Sequence, residues 1–203
     1  MKVKTFQSVL AMVFACLIWG LSGLYYDQLS HIDPLEVLAH RAFWAMLFFS
    51  GILLHQGRFW GLFTDLVGSR EFLLLGASSL MISINWFSFI FSIQTGQAVQ
   101  ASFGYYIFPL VAIIFGYLFK GERFSKIQLC AILCAVCSIV ALGVALRLVP
   151  TISLIIAFTF GAYGLIKSYT KSSSIESVTI ESIILTPLAL GFLFFSYAEQ
   201  GQE

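Results

Sequence analysis

The sequence predicts an all-α integral membrane protein with about seven transmembrane helices. Of its 203 residues, 59% are hydrophobic and only 10% are charged. The mean hydropathy of +0.92 is too high for the surface of a protein in water. Its apolar residues form continuous runs near the roughly 20 residues that a helix needs to cross a bilayer. Strands of a membrane barrel would be shorter and would alternate with polar positions, so helices are favoured.

The apolar runs give the predicted spans in chain order, which are residues 8–25, 35–54, 72–93, 98–119, 127–146, 152–166 and 178–197. Pro34 fits the first turn of the second helix, and Ser125 can cap the fifth, since both residue types favour helix starts. Pro109 and Pro187 lie inside spans, where proline frees a backbone carbonyl and usually kinks the helix. Both prolines are therefore expected to line a pathway.

The distribution of Lys and Arg predicts a cytoplasmic N-terminus. With that orientation most basic residues lie at cytoplasmic ends of spans, namely Lys2, Lys4, Arg58, Arg70, Lys120, Arg123, Lys126, Lys167 and Lys171. Arg147 lies on the other side, and Arg41 lies within a span. The chain is thus expected to cross the inner or plasma membrane several times, with Glu203 outside.

Two segments resemble each other at an offset of 141 residues, from position 20 to position 161. Residues 19–24 and 160–165 both read aromatic-Gly-x-x-Gly-Leu, and the same offset aligns His40 with Glu181. Because five spans separate the copies, the second copy would cross the membrane in the opposite direction. This predicts a five-helix repeat over residues 1–147 and the start of an inverted, truncated second repeat over 148–203. Close helix packing is another reason for such glycines.

Charged side chains inside spans are candidates for a substrate pathway, because each costs about 2.5–3.5 kcal/mol to place at the bilayer centre. Glu36 and His40 lie on one face of the second helix, with Arg41 beside them about 10 Å from the helix start. A structural ion pair near the interface is the alternative for these three residues. Glu181 is a second buried acid, and the repeat predicts that it faces His40.

Aromatic and amide side chains extend the candidate pathway. Five rings are candidates to line a cavity and to stack on an aromatic or cationic substrate, namely Trp19, Trp86, Tyr105, Tyr106 and Tyr163. The amides of Asn85 and Gln100 need partners in lipid, so they either bridge helices or point into the cavity. Ordinary packing is the alternative for each ring.

Many of these residues belong to longer motifs, which are Trp19-Gly20, Glu36-Val37-Leu38-Ala39-His40-Arg41, Asn85-Trp86, Ala101-Ser102-Phe103-Gly104-Tyr105-Tyr106 with Pro109-Leu110, Gly121-Glu122-Arg123, Tyr163-Gly164-Leu165 and Ile180-Glu181. With them the chain resembles the RarD group of EamA-like permeases, in the drug/metabolite transporter superfamily, over nearly its whole length. The resemblance implies ten helices in two inverted halves around a central cavity, so three more helices are expected after residue 203. Gln100 and Phe108 stand where relatives usually carry Glu and Asn, so a proton role of that carboxylate is not carried over.

The sequence therefore predicts a secondary permease that moves a small metabolite or drug-like molecule, with a coupling ion and a homodimer as open partners. A net charge of +1 without a basic run argues against nucleic acid. The common nucleotide-binding and hydrolase motifs do not occur, so neither a cofactor nor a metal nor catalysis is expected. Two alternatives stay open, an intramembrane enzyme that uses Glu36, His40 and Glu181, and a non-transporting scaffold or remnant.

Overall fold

The computed structural model describes residues 2–66, 68–147 and 151–200, and the predicted position of Glu203 lies outside them. The described residues form eight α-helices and no strand: α1 (Lys2–Gln28), α2 (Pro34–His55), α3 (Phe59–Leu66), α4 (Arg70–Gln94), α5 (Ala98–Lys120), α6 (Lys126–Ala145), α7 (Thr151–Lys167) and α8 (Ser174–Gln200). Within this part of the chain, 6 helices are long and apolar enough to cross a membrane, and α7 is a shorter apolar helix. The predicted all-α membrane fold is confirmed.

Local sequence signals explain where several helices begin and end. The Asp33 carboxylate accepts a hydrogen bond from the Leu35 amide at 2.7 Å, with Pro34 in the first turn of α2. Ser125 and Gln128 form a capping box at the start of α6. The Ser125 hydroxyl accepts from the Gln128 amide, and the Gln128 side-chain oxygen accepts from the Ser125 amide. Gly121 ends α5 in the left-handed conformation. Both predicted helix starts are confirmed.

Helix α3 corrects the predicted order of elements, which has no helix between the second and third spans. It lies between Gly57 and Gly68, which both have positive φ angles. One side of α3 packs into a buried cluster with α2, α4 and α8, formed by Leu53, Leu62, Leu66, Leu75 and Ile180. This short helix therefore covers one end of the bundle and does not cross it.

Helix α4 is the central element of the bundle, because it contacts α1, α2, α5, α7 and α8. The most extensive helix pairs are α2 with α8 and α5 with α7. Helix α6 contacts mainly α5 and has no buried residue, and most of α1 is exposed as well. The predicted repeat relates α2 to α8, and these two helices are direct neighbours. The repeat itself stays a prediction.

Consecutive spans alternate in direction, which gives the bundle two ends. We call the end where α1 begins the amino-terminal face, and it carries α3 and the α7–α8 turn. Here Arg58 forms an ion pair with Glu176. The Glu71 carboxylate also accepts hydrogen bonds from the amides of Lys171 and Ser172 and from the Ser172 hydroxyl, each at 2.7 Å. These contacts, which we call the amino-terminal tether, join the start of α4 and the α2–α3 turn to the last helix pair.

The interior of the bundle is rich in small polar side chains, and large apolar side chains cover its outside. The buried polar residues are Ser50, Ser78, Ser79, Asn85, Ser88, Ser92, Ser153, Thr159, Ser177, Thr179, Glu181, Ser182 and Thr186. Many of their hydroxyls donate to a carbonyl of the preceding helical turn, as Ser88 does to Ile84. Because acyl chains solvate large apolar groups well, small and polar residues at helix contacts are typical of membrane bundles.

Candidate functional site

Seven aromatic rings from α1, α4, α5 and α7 form a connected group, which we call the ring cluster: Trp19, Tyr26, Phe89, Tyr105, Phe108, Phe160 and Tyr163. Neighbouring ring centroids lie 4.7 to 6.2 Å apart. Trp19 contacts two of the rings yet stays 60% exposed, so the described residues leave this side of the cluster uncovered. The structure thus brings together three of the five rings that the sequence singled out.

Arg41 lies at the edge of the ring cluster, seven residues into α2, which is about 10 Å from the helix start. Its Nη1 donates to the Tyr26 hydroxyl at 2.7 Å, and its guanidinium carbon lies 3.8 Å from the centroid of the Trp86 ring. A guanidinium over a tryptophan face gains cation–π attraction, which is strongest where water is excluded. Trp86, the fourth predicted ring, therefore joins the cluster through Arg41.

Asn85 fixes the middle of the ring cluster. The side chain is 1% exposed, and its amide nitrogen donates to the Ile156 carbonyl at 3.0 Å and to the Thr159 hydroxyl at 3.2 Å. Its oxygen accepts from the Tyr105 hydroxyl at 3.2 Å. Asn85 therefore bridges α4, α5 and α7 and sets the orientation of one ring, which is one of the two roles predicted for it.

Two other predicted residues lie away from the rings. The Gln100 side chain donates to the Gln97 side chain at 2.9 Å, at the start of α5. Its backbone carbonyl accepts from Ser153 of α7 at 2.7 Å, so Gln100 helps to join the two helices at the opposite face. Tyr106 is 66% exposed and contacts no other ring among the described residues. Their place in a substrate pathway stays a prediction.

Glu181 forms a second polar centre, nearer the amino-terminal face. Its carboxylate accepts from the Ser78 hydroxyl at 2.7 Å, the Lys167 ammonium at 3.2 Å and the Tyr163 hydroxyl at 3.4 Å. No hydrogen bond or ion pair joins Glu181 to His40, so the expectation that they face each other stays a prediction. Lys167 ends α7 and extends its long side chain back to the carboxylate. Through Tyr163, this centre touches the ring cluster.

Glu36, His40 and Arg41 do not act as one bonded group. Glu36 accepts from the Tyr197 hydroxyl of α8 at 2.9 Å, whereas Arg41 turns toward α1 and α4. His40 is half-buried and has no hydrogen-bond partner among the described residues. The five positions from Glu36 to Arg41 rotate about 140° around a helix, which is why the two side chains meet different neighbours.

A groove of about 270 Å³ runs between α5 and α7 from the ring cluster toward the amino-terminal face. Phe108 belongs to both the cluster and the groove, and the other lining residues are Ala112, Phe115, Gly116, Lys120, Glu122, Gly161, Gly164, Leu165 and Ser168. A Cβ added at Gly164 would meet nothing within 4 Å, so this glycine borders open space. The groove carries a Lys and a Glu toward its amino-terminal end.

Sequence reasoning missed several parts of this site. Phe160 lies at the centre of the ring contacts, and its position beside the repeated Gly-x-x-Gly was the available signal. Tyr26 and Phe89 follow only from helix packing, and Lys167 was assigned to the membrane edge. Among the described residues no group of three or more His, Cys, Asp or Glu side chains could hold a metal ion. The enzyme alternative therefore has no metal-ligand set in this part of the chain.

Comparison with known proteins gives a consistent result. The model of the EamA-like transporter family matches residues 7–144. The uncharacterized transporter YojE of Bacillus subtilis is 35% identical over 95% of this chain and 66% of its own length. The protein RarD of Escherichia coli is 32% identical over 94% of this chain and 64% of its own. The chloramphenicol-sensitive protein RarD of Pseudomonas aeruginosa is 25% identical over 93% of this chain and 64% of its own length. The chain thus spans slightly less than two thirds of the length of these relatives, and no solved structure matches it.

Proposed function

Since this chain belongs to the EamA-like transporter family as a RarD-type member, we propose that it is a secondary permease for a small metabolite or drug-like molecule. The observation that carries the proposal is the ring cluster, which holds Arg41 and Asn85 at membrane depth. Polar groups at that depth are costly and usually serve a pathway. An ion gradient or exchange would drive transport, because the chain has no nucleotide-binding motif.

The proposed pathway follows contacts already described. A substrate would pass Arg41 and Trp86, lie against the ring cluster, and leave by Phe108 and the α5–α7 groove. Its exit would lie on the amino-terminal face, for which the excess of Lys and Arg predicts a cytoplasmic location. Residues 1–147 would form one repeat, and 148–203 would begin an inverted second repeat. Alternation would then open each face in turn around the rings.

A cysteine-labelling experiment tests the pathway without knowledge of the substrate. The four native cysteines are exposed on α1 and α6 and would first be replaced by alanine. Trp19→Cys in the ring cluster and Gly164→Cys in the groove would then be treated, in sealed vesicles of either orientation, with a thiol reagent that cannot cross membranes. Leu133→Cys, on the outward-facing helix α6, is the matched control because lipid should cover it.

Alternating access predicts that Trp19→Cys reacts with reagent added to either side, whereas Leu133→Cys reacts from neither. Gly164→Cys should react mainly from the amino-terminal side. A ring cluster that is only dry packing would give a Trp19→Cys as unreactive as the Leu133→Cys control. That result would refute the proposed pathway.

Transport itself can be measured with the complete gene product in proteoliposomes. A panel of labelled compounds should include chloramphenicol, because one relative is named chloramphenicol-sensitive protein RarD. Gly164→Phe should abolish uptake of any transported compound, since the new ring would fill the groove. Gly51→Phe is the control, because its Cβ also points into open space but on α2. Equal loss in both variants would contradict the groove as the route, and crosslinking in the same membranes would test the homodimer.

A further inference from the structure

Arg41 carries a charge that the described protein residues leave without an anion. Its single hydrogen bond among these residues goes to a neutral phenol, that of Tyr26. Among the side chains that the structure describes, no carboxylate lies within 4.0 Å of the guanidinium, because their ion pairs are Arg58–Glu176 and Lys167–Glu181. A guanidinium has five N–H donors in a planar fork that matches a carboxylate.

Lys167, unlike Arg41, has a carboxylate partner inside the bundle. Lys167 is neutralised by Glu181, whose carboxylate is almost fully buried and is further bound by Ser78. The acid nearest to Arg41 on its own helix, Glu36, turns away and binds Tyr197. Arg41 is thus held by the Trp86 ring face and the Tyr26 hydroxyl, and most of its donors have no acceptor among the described side chains. This arrangement suits an anion that none of the described side chains supplies.

The surroundings of Arg41 restrict the rest of the ligand. Tyr26 packs edge-to-face against Phe89 at 6.0 Å, and Phe89 packs in the same way against Tyr105 at 6.0 Å, so aromatic rings begin directly beside the guanidinium. Offset and edge contacts between rings favour a flat aromatic body over a saturated one. Asn85 fixes the ring of Tyr105 and adds no charge.

We propose that Arg41, Trp86 and the ring cluster bind an aromatic carboxylate, with the carboxylate on the Arg41 fork and the aromatic body against the rings. The inference rests on the proposed function, since it names the substrate class of that pathway. Binding can nevertheless be measured without transport. A carboxylate on this fork gains charge-assisted hydrogen bonds that a neutral or cationic analogue does not gain.

The test uses ligands of one shape and three charges, 3-phenylpropionate, 3-phenylpropanamide and 3-phenylpropylamine. Their binding to the full chain in phosphatidylcholine nanodiscs would be measured by calorimetry, so that no anionic lipid competes for Arg41. The wild type should bind the carboxylate at least about tenfold more tightly than the other two, the difference made by one charge-assisted hydrogen bond. It should also bind 3-phenylpropionate more tightly than 3-cyclohexylpropionate.

Arg41→Gln should lose the preference for the carboxylate, and Arg41→Lys should keep part of it, because an ammonium retains the charge but not the planar fork. Arg123→Gln, at the exposed α5–α6 turn, should behave as the wild type. Equal binding of all three charges, no binding of the carboxylate, or an unchanged preference in Arg41→Gln would overturn the proposal. The comparison of the three ligands on the wild type tests the proposal even if Arg41→Gln does not fold.

The two proposals fail separately. Charge-selective binding without transport in proteoliposomes would support the anion site and refute the permease proposal. Transport of a neutral compound from the panel, together with equal binding of the carboxylate and its analogues, would support the permease proposal and refute the anion site.

Discussion

The ion pair between Lys167 and Glu181 gives a quantitative prediction about stability. Its side chains are 21% and 5% exposed, so the pair lies inside the bundle at the contact of α7 and α8 with α4. Glu181→Gln keeps the shape of the side chain and an oxygen that can accept from Ser78, while the new amide nitrogen can donate to the Tyr163 hydroxyl. It leaves the Lys167 ammonium without its anion.

Breaking a buried pair by removal of one partner costs about 3–5 kcal/mol. Lys167 is the last residue of α7, and its flexible stem can turn the ammonium toward water. We therefore expect the lower end of that range, about 3 kcal/mol. The double variant Lys167→Met/Glu181→Gln leaves no isolated charge, so its stability should return to within about 1 kcal/mol of the wild type.

Equilibrium unfolding in mixed detergent micelles would measure the free energy of unfolding of the wild type, both single variants and the double variant. The pair of Arg58 and Glu176 provides the control, because the Arg58 side chain is 56% exposed and stays solvated when its partner is neutral, so Glu176→Gln should cost no more than about 1 kcal/mol. A loss below about 1 kcal/mol for Glu181→Gln would refute the reasoning. So would a double variant as unstable as the Glu181→Gln single variant.

Three further predictions concern packing and helix starts. Gly104→Ala should lower the free energy of unfolding by about 1–3 kcal/mol, because its Cβ would lie 2.8 Å from a backbone carbonyl of α7. Gly20→Ala meets nothing within 4 Å and should be neutral or stabilising by up to about 1 kcal/mol, so equal melting points of the two variants in detergent would contradict the packing argument. Asn85→Leu should cost about 1–3 kcal/mol by leaving the Tyr105 hydroxyl without its acceptor, and an unchanged unfolding free energy would show that this bond does not matter. Ser125→Ala should cost about 1 kcal/mol and speed hydrogen exchange at the start of α6, whereas unchanged exchange there would contradict the role of the capping box.

The fold could be predicted because lipid imposes strong rules on sequence. A span must be apolar over its whole length, and the seven predicted runs coincide with α1, α2 and α4 to α8 within a few residues at most ends. Helix α3 was not predicted, because its eight residues are too few for a span. The reason for its formation is tertiary, since Leu62 and Leu66 gain burial only against α2, α4 and α8.

The candidate site was predicted only in part, because its residues depend on side-chain direction. The position of Arg41 in a span marked it as unusual, but periodicity alone did not separate its face from that of Glu36. The distribution of charge placed Lys167 at the membrane edge and could not show that its ammonium turns inward. Aligning His40 with Glu181 gave equivalent positions in a repeat, which need not touch.

The amino-terminal tether has a consequence for how easily the helices can separate at the amino-terminal face. The side chains of its ion pair are 56% exposed at Arg58 and 14% at Glu176, and pairs with one partner in water contribute little, about 0–1 kcal/mol. Salt weakens them further, since the screening length falls from about 10 Å at 0.1 M to about 3 Å at 1 M. Minor conformations that lie a few kcal/mol above the major one are already populated at about 0.1–10%. If the bundle alternates as proposed, ionic strength on that side of the membrane should shift the balance between closed and open forms of the amino-terminal face, while the buried bonds of Asn85 and Glu181 stay unaffected.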